Sequence, residues 1–116
     1  MSDAKWRASA EKVRQSKTYL ADRKFLLDAI IPYKNVEREK TYELHDFFTN
    51  YANEHNWGGV RLYTLLHDIV VIDIKDDPSY STDIHDLLEN YLDSLSGWCS
   101  PSSWTVLKNT DWYFPD

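Results

Sequence analysis

At 116 residues, 42% hydrophobic and 28% charged, the chain has the composition of an ordinary folded domain and enough length for one hydrophobic core, so residues 1–116 read as a single domain. Its longest strictly apolar run is Ile69–Ile72 and its one cysteine is Cys99, which excludes a membrane-spanning helix and an intrachain disulfide framework. The formal net charge is −6, and the first residues lack the apolar block and small-residue cleavage site of a secretory signal, so a reducing, cytoplasmic location is expected.

From Ser2 to about Ile31 the residues favour helix. Ser2 is a suitable N-cap, Asp3 complements the helix dipole in the first turn, and Pro32 marks the end. Trp6, Val13, Leu20 and Leu27 recur every seventh residue, a narrow apolar stripe that broadens near Phe25, Leu26, Ile30 and Ile31. A single helix of that length is uncommon in a small domain, and a break at Ser16–Thr18 would divide it in two. Lys5 and Lys12 flank the stripe on one side and Arg7 and Arg14 on the other. With Lys17 they make a basic strip that suits phosphate, anionic lipid or the protein's own acidic half.

A second helix is predicted over Glu37–His55, with Leu44, Phe47, Phe48, Tyr51 and Ala52 on one face, ending at the Asn56-Trp57-Gly58-Gly59 breaker. Val60–Leu66 and Ile69–Lys75 read as two strands around His67-Asp68, because β-branched residues crowd the second run. That turn lacks the glycine a tight hairpin prefers, so Val60–His67 also admits a helix. After the turn-rich Asp76–Ser81, Thr82 or Asp83 caps a further helix whose stripe is Ile84, Leu87, Leu88, Tyr91, Leu92 and Leu95. Asp86, Glu89, Asn90 and Asp93 point outward from it, and Gly97 suits its C-terminal stop. Trp104–Lys108 can add a strand against Ile69–Lys75. The expected fold is therefore α+β, with three to four helices packed on one face of a small antiparallel sheet; an all-α bundle is the alternative.

The charge is divided along the chain. Residues 1–40 hold ten basic against six acidic side chains, whereas residues 41–116 hold three basic residues, Arg61, Lys75 and Lys108, against thirteen acidic ones. The densest run comprises Asp68, Asp73, Asp76, Asp77, Asp83, Asp86, Glu89 and Asp93, relieved only by Lys75. Gathered on one face, these carboxylates would steer and hold a cationic partner. Trp98, Trp104, Trp112, Tyr113 and Phe114 crowd the last nineteen residues. They either complete the core, in which case deleting Trp112–Asp116 abolishes the cooperative melt, or anchor a partner through Trp112 and Tyr113.

Catalytic equipment is sparse. Three glycines, Gly58, Gly59 and Gly97, cannot build a phosphate-wrapping loop or dinucleotide fingerprint, and no cofactor is expected. Cys99 has no neighbouring base, the serines between Ser94 and Ser103 lack a nucleophile elbow, and the acids at Asp76-Asp77 lack calcium-loop order. His45-Asp46, His67-Asp68 and His85-Asp86 form a recurring doublet that could serve metal-assisted hydrolysis, although adjacent helix positions point about 100° apart, the helical stripes turn His45, Asp46, His85 and Asp86 toward solvent, and the spacing matches no closed zinc site. The residues point first to a small acidic inhibitor or immunity-type protein that blocks a basic, nucleic-acid-handling partner. A His-Asp metallohydrolase and an anionic-surface or nucleic-acid binder acting through the basic N-terminal strip are the alternatives.

Overall fold

The computed structural model describes residues 3–96 and 107–109, and among these it contains five α-helices and no strand. The α+β expectation is thereby overturned in favour of an all-helical globule. The helices are α1 (Asp3–Arg14), α2 (Tyr19–Ile30), α3 (Arg38–Glu54), α4 (Gly59–Ile69) and α5 (Thr82–Ser96). A 3₁₀ turn at Ile31–Tyr33 follows α2, and a π-helical segment, Val70–Ile74, continues α4 without interruption. None of the described helices is long and apolar enough to cross a membrane.

The N-terminal helical region does divide in two. Ser16 N–H bonds Val13 O and Tyr19 N–H bonds Ser16 O, tight i→i+3 contacts that separate α1 from α2. The break ends the seven-residue stripe. Trp6 is half-buried and Val13 buried, but Leu20 lies 73% exposed, so the stripe does not persist into α2. There Leu26 and Ile30 face the core instead. Pro32, within the 3₁₀ turn, lies just past the end of α2.

At its C-terminus α3 closes in a Schellman arrangement. Trp57 N–H reaches back to Ala52 O at 2.8 Å and Asn56 N–H to Asn53 O at 3.3 Å, with Asn56 in the left-handed region at φ 55°. Gly58, extended at φ −81° and ψ 173°, then begins α4.

The paired strands expected at Val60–Leu66 and Ile69–Lys75 are one continuous helix. Val60, Leu62, Leu65, Leu66 and Ile69 are all buried, together with Gly59, Thr64 and Asp68, because α4 packs against α1, α2 and α5 at once. A helix enclosed on several sides is apolar around much of its circumference, and that packing overrides the strand preference of the β-branched run. The extra residue in the turn is visible where Lys75 N–H bonds Val70 O at 2.8 Å, an i→i+5 contact. Trp104–Val106 of the proposed third strand lie outside the described residues, and Leu107–Asn109 form no strand. Lys108 N–H donates to Asn53 Oδ1 at 2.8 Å and Asn109 Nδ2 to Asn56 O at 3.0 Å, holding this segment beside the end of α3.

The α5 stripe is as expected, but its N-terminus lies earlier than a Thr82 or Asp83 cap requires, with Thr82 already helical, and Gly97 lies outside the described residues. Ile84, Leu87, Leu88, Tyr91 and Leu92 are buried and Leu95 half-buried, while the contact to the Ile84 N–H at the helix start comes from Ser81 Oγ at 3.4 Å. These side chains join Leu26, Ile30, Leu44, Phe48, Leu62, Leu65, Leu66 and Ile69 in one cluster. Each fully buried leucine or isoleucine contributes roughly 1.5–3 kcal/mol through removal from water. The result is a core with α4 in the middle and α3 and α5 side by side on one flank.

Candidate functional site

The eight carboxylates of the Asp68–Asp93 run do not form a single surface. Asp68, at 5% exposure, belongs to the interior. Arg14 grips it bidentately, Nε to Oδ2 and Nη2 to Oδ1, each at 2.9 Å. Tyr19 donates its hydroxyl to Oδ2 at 2.5 Å, and His67 Nδ1 stands 3.3 Å from Oδ1. Trp6 closes over this cluster, its ring edge-on to Tyr63 and His67 at centroid distances of 5.6 and 5.4 Å and the Arg14 guanidinium 6.0 Å away. Burial pushes the Asp68 carboxyl up, but the hydrogen bonds from His67, Arg14 and Tyr19 outweigh it and hold the group well below the usual carboxylate range. Asp68 is therefore removed from the candidate docking face, and Arg14 is likewise withdrawn from the basic strip.

Asp73 is also engaged internally, its Oδ2 3.0 Å from Arg23 Nη2. Asp77 organises its own loop. Its Oδ1 accepts from Ser79 N–H at 2.9 Å and Ser79 Oγ at 2.6 Å, bonds that keep the carboxyl below its ordinary value. Lys34 attaches that loop to the α2–α3 connection, its Nζ 3.1 Å from Ser79 Oγ and 4.6 Å from the centre of the Tyr80 ring. Asp76 alone in this stretch is fully on the surface.

The remaining four carboxylates belong to α5. Asp86, Glu89 and Asp93 are exposed and spaced i, i+3, i+7, which places them within a narrow sector of the helix surface. Asp83, half-buried in the first turn, and Asp86 border an open groove of about 240 Å³ between α5 and α3. Buried Thr41 and Leu87 lie at its bottom, with Asn90, Tyr42 and Arg38 along its sides. The Arg38 guanidinium is held in its charged form first by hydrogen bonding to Tyr42 and then by the fields of Asp83 and Asp86. Further exposed carboxylates lie on α3: Asp46, one turn beyond Tyr42, with Glu39 and Glu43 on neighbouring exposed positions, the last accepting from the Tyr33 hydroxyl at 3.2 Å.

Sequence reasoning identified Asp83, Asp86, Glu89 and Asp93 but not the groove. Arg38, Thr41, Tyr42 and Asn90 enter it only because α3 and α5 pack together. The exposed i, i+4, i+7 spacing of Glu39, Glu43 and Asp46 was the available signal that α3 adds to the acidic surface. Trp112 and Tyr113, the proposed aromatic anchors, lie outside the described residues.

The His-Asp doublets occupy three different helices: α3, α4 and α5. His45 is buried, contrary to its expected solvent-facing position, and its Nδ1 lies 3.1 Å from Asp46 Oδ1. His67 belongs to the Asp68 cluster, and His85 is half-buried on α5. Among the described residues no three His, Cys, Asp or Glu side chains converge on a common point suited to a metal ion.

The fold and surface thus define a small all-helical protein with an acidic, grooved flank. Comparison with models of known families, with characterised proteins and with solved structures finds no match to this chain.

Proposed function

We propose that this protein acts by binding a basic protein partner through the α3–α5 flank, as a stoichiometric inhibitor or immunity-type protein. The observation that carries the reading is the gathering of Asp83, Asp86, Glu89 and Asp93 on α5 beside the groove shared with α3. Asp68 and Asp73, by contrast, serve internal ion pairs. Carboxylates concentrated on one flank accelerate encounter with a positive surface and fix its orientation. Where the partner handles nucleic acid, such a row can occupy the surface that phosphates would otherwise contact.

The test is a pulldown from lysate of the source cells, washed at two salt concentrations, followed by association kinetics with the purified captured protein. One-to-one binding is expected, with an association rate that falls steeply as salt rises. An association rate independent of salt would contradict the proposal.

A further inference from the structure

Resting on that reading of the acidic flank, we infer that the α3–α5 groove receives a single arginine or lysine side chain from the partner, and that Arg38 on the groove lining opposes its entry. The groove measures about 240 Å³, below the roughly 300 Å³ at which small-molecule sites begin and suited to one long side chain. Its lining divides by chemistry in the way such a side chain requires. Leu87 and the ring of Tyr42 offer apolar surface for an aliphatic stem, while Asp83, Asp86 and Asn90 offer oxygen acceptors for the charged head. Tyr42 is 48% exposed, so its ring can also meet a cation.

The charge balance selects the occupant. Two carboxylates oppose the one guanidinium lining the groove, and Asp46, Glu89 and Asp93 on adjoining turns add negative potential. An incoming anion meets two lining carboxylates against one guanidinium, whereas a cation gains from every carboxylate in reach. Arg38, exposed and lining the same groove as Tyr42, Asp83 and Asp86, repels an incoming cation and competes for the same carboxylates. Removing it should therefore strengthen cation binding, an outcome opposite in sign to the loss expected at an ordinary contact residue.

The test uses the full chain and a fluorescein-labelled peptide of alternating arginine and alanine, followed by anisotropy at low salt. Thermal melts of every variant serve as folding controls. Arg38→Ala should tighten binding about threefold, because a rim-exposed competing charge is modest in strength. Asp83→Asn with Asp86→Asn should weaken it about tenfold through loss of close charge pairs. Glu89→Gln, one turn away, should change it less than about twofold.

Weaker binding by Arg38→Ala overturns the inference, as does inorganic phosphate binding to the wild type with loss in Arg38→Ala; both mark the groove as an anion site. If Glu89→Gln and the Asp83/Asp86 pair weaken binding equally, the groove assignment fails while the acidic flank stands. If the wild type does not bind the peptide at all, both readings fail.

Discussion

Replacing Asp68 by asparagine preserves the shape of the side chain but turns one of its two acceptor atoms into a donor facing the donors of Arg14, Tyr19 and His67. Two charge-assisted bonds from Arg14 are lost or distorted, each with a net value of roughly 1.5–3 kcal/mol. Two effects reduce the cost: the desolvation of the carboxylate is relieved, and the Arg14 side chain, 33% exposed, recovers part of its hydration. The expected destabilisation is about 2–3 kcal/mol, which lowers the urea midpoint by about 2 M for a slope near the low end of the ~1–3 kcal/mol/M range. The pH dependence carries a second signature. Because the folded Asp68 carboxyl titrates below its ordinary value, its contribution is present above the unfolded pKa of about 3.9 and is lost as pH falls from there toward the folded value. Urea titrations followed by tryptophan fluorescence between pH 7 and 3 should show a steep acid limb in the wild type and a flatter one in Asp68→Asn. A variant within about 0.5 kcal/mol of wild type, with the same acid limb, would refute the view of Asp68 as an internal keystone.

Tyr91→Phe should cost about 1 kcal/mol, since the buried phenol shares a 2.7 Å hydrogen bond with Thr49; calorimetry should find the melting temperature lowered by roughly 4–8 °C. Asn56 holds φ 55° at the end of α3, so Asn56→Ala should destabilise by about 1 kcal/mol while Asn56→Gly remains within about 0.5 kcal/mol of wild type. Chemical denaturation of the two variants side by side checks that difference.

Amphipathic segments exposed on one side were legible in the sequence. The predicted stripe of α5 and the helix over Glu37–His55 correspond closely to the observed α5 and α3, because a helix lying on a core advertises its buried face through 3.6-residue spacing. The centre of the molecule was not legible by the same means. Where α4 is enclosed by α1, α2 and α5, polar Thr64 and Asp68 occupy buried positions, so polarity along the sequence does not mark a solvent face, and the apolar run Ile69–Ile72 resembles a buried strand. The β-branched Ile69–Ile74 stretch also resembles a strand, yet it continues α4 with Ile69 and Ile74 buried and Val71 and Ile72 exposed. Leu20 shows the converse problem: its seven-residue relation to Val13 is meaningful only while the chain remains one helix, and the turn at Ser16 rotates it to the outside.

The acidic face illustrates why charge counted along a sequence differs from charge presented in space. Asp68 and Asp73 are matched by Arg14 and Arg23, partners fifty or more residues earlier in the chain, so part of the basic N-terminal excess is consumed in attaching α1 and α2 to the central helix. The opposite charge of the two parts of the chain thus helps to hold them together. It also sharpens the surface left over. Once the internal pairs and the Asp77 loop contacts are set aside, the acidic residues bordering the groove are Asp83 and Asp86 on α5, accompanied by exposed Glu89 on the same helix. A partner selected by this flank must place positive charge at the α3–α5 seam, so charge-reversing substitutions there should disrupt recognition, whereas those at Asp68 should disrupt the fold itself.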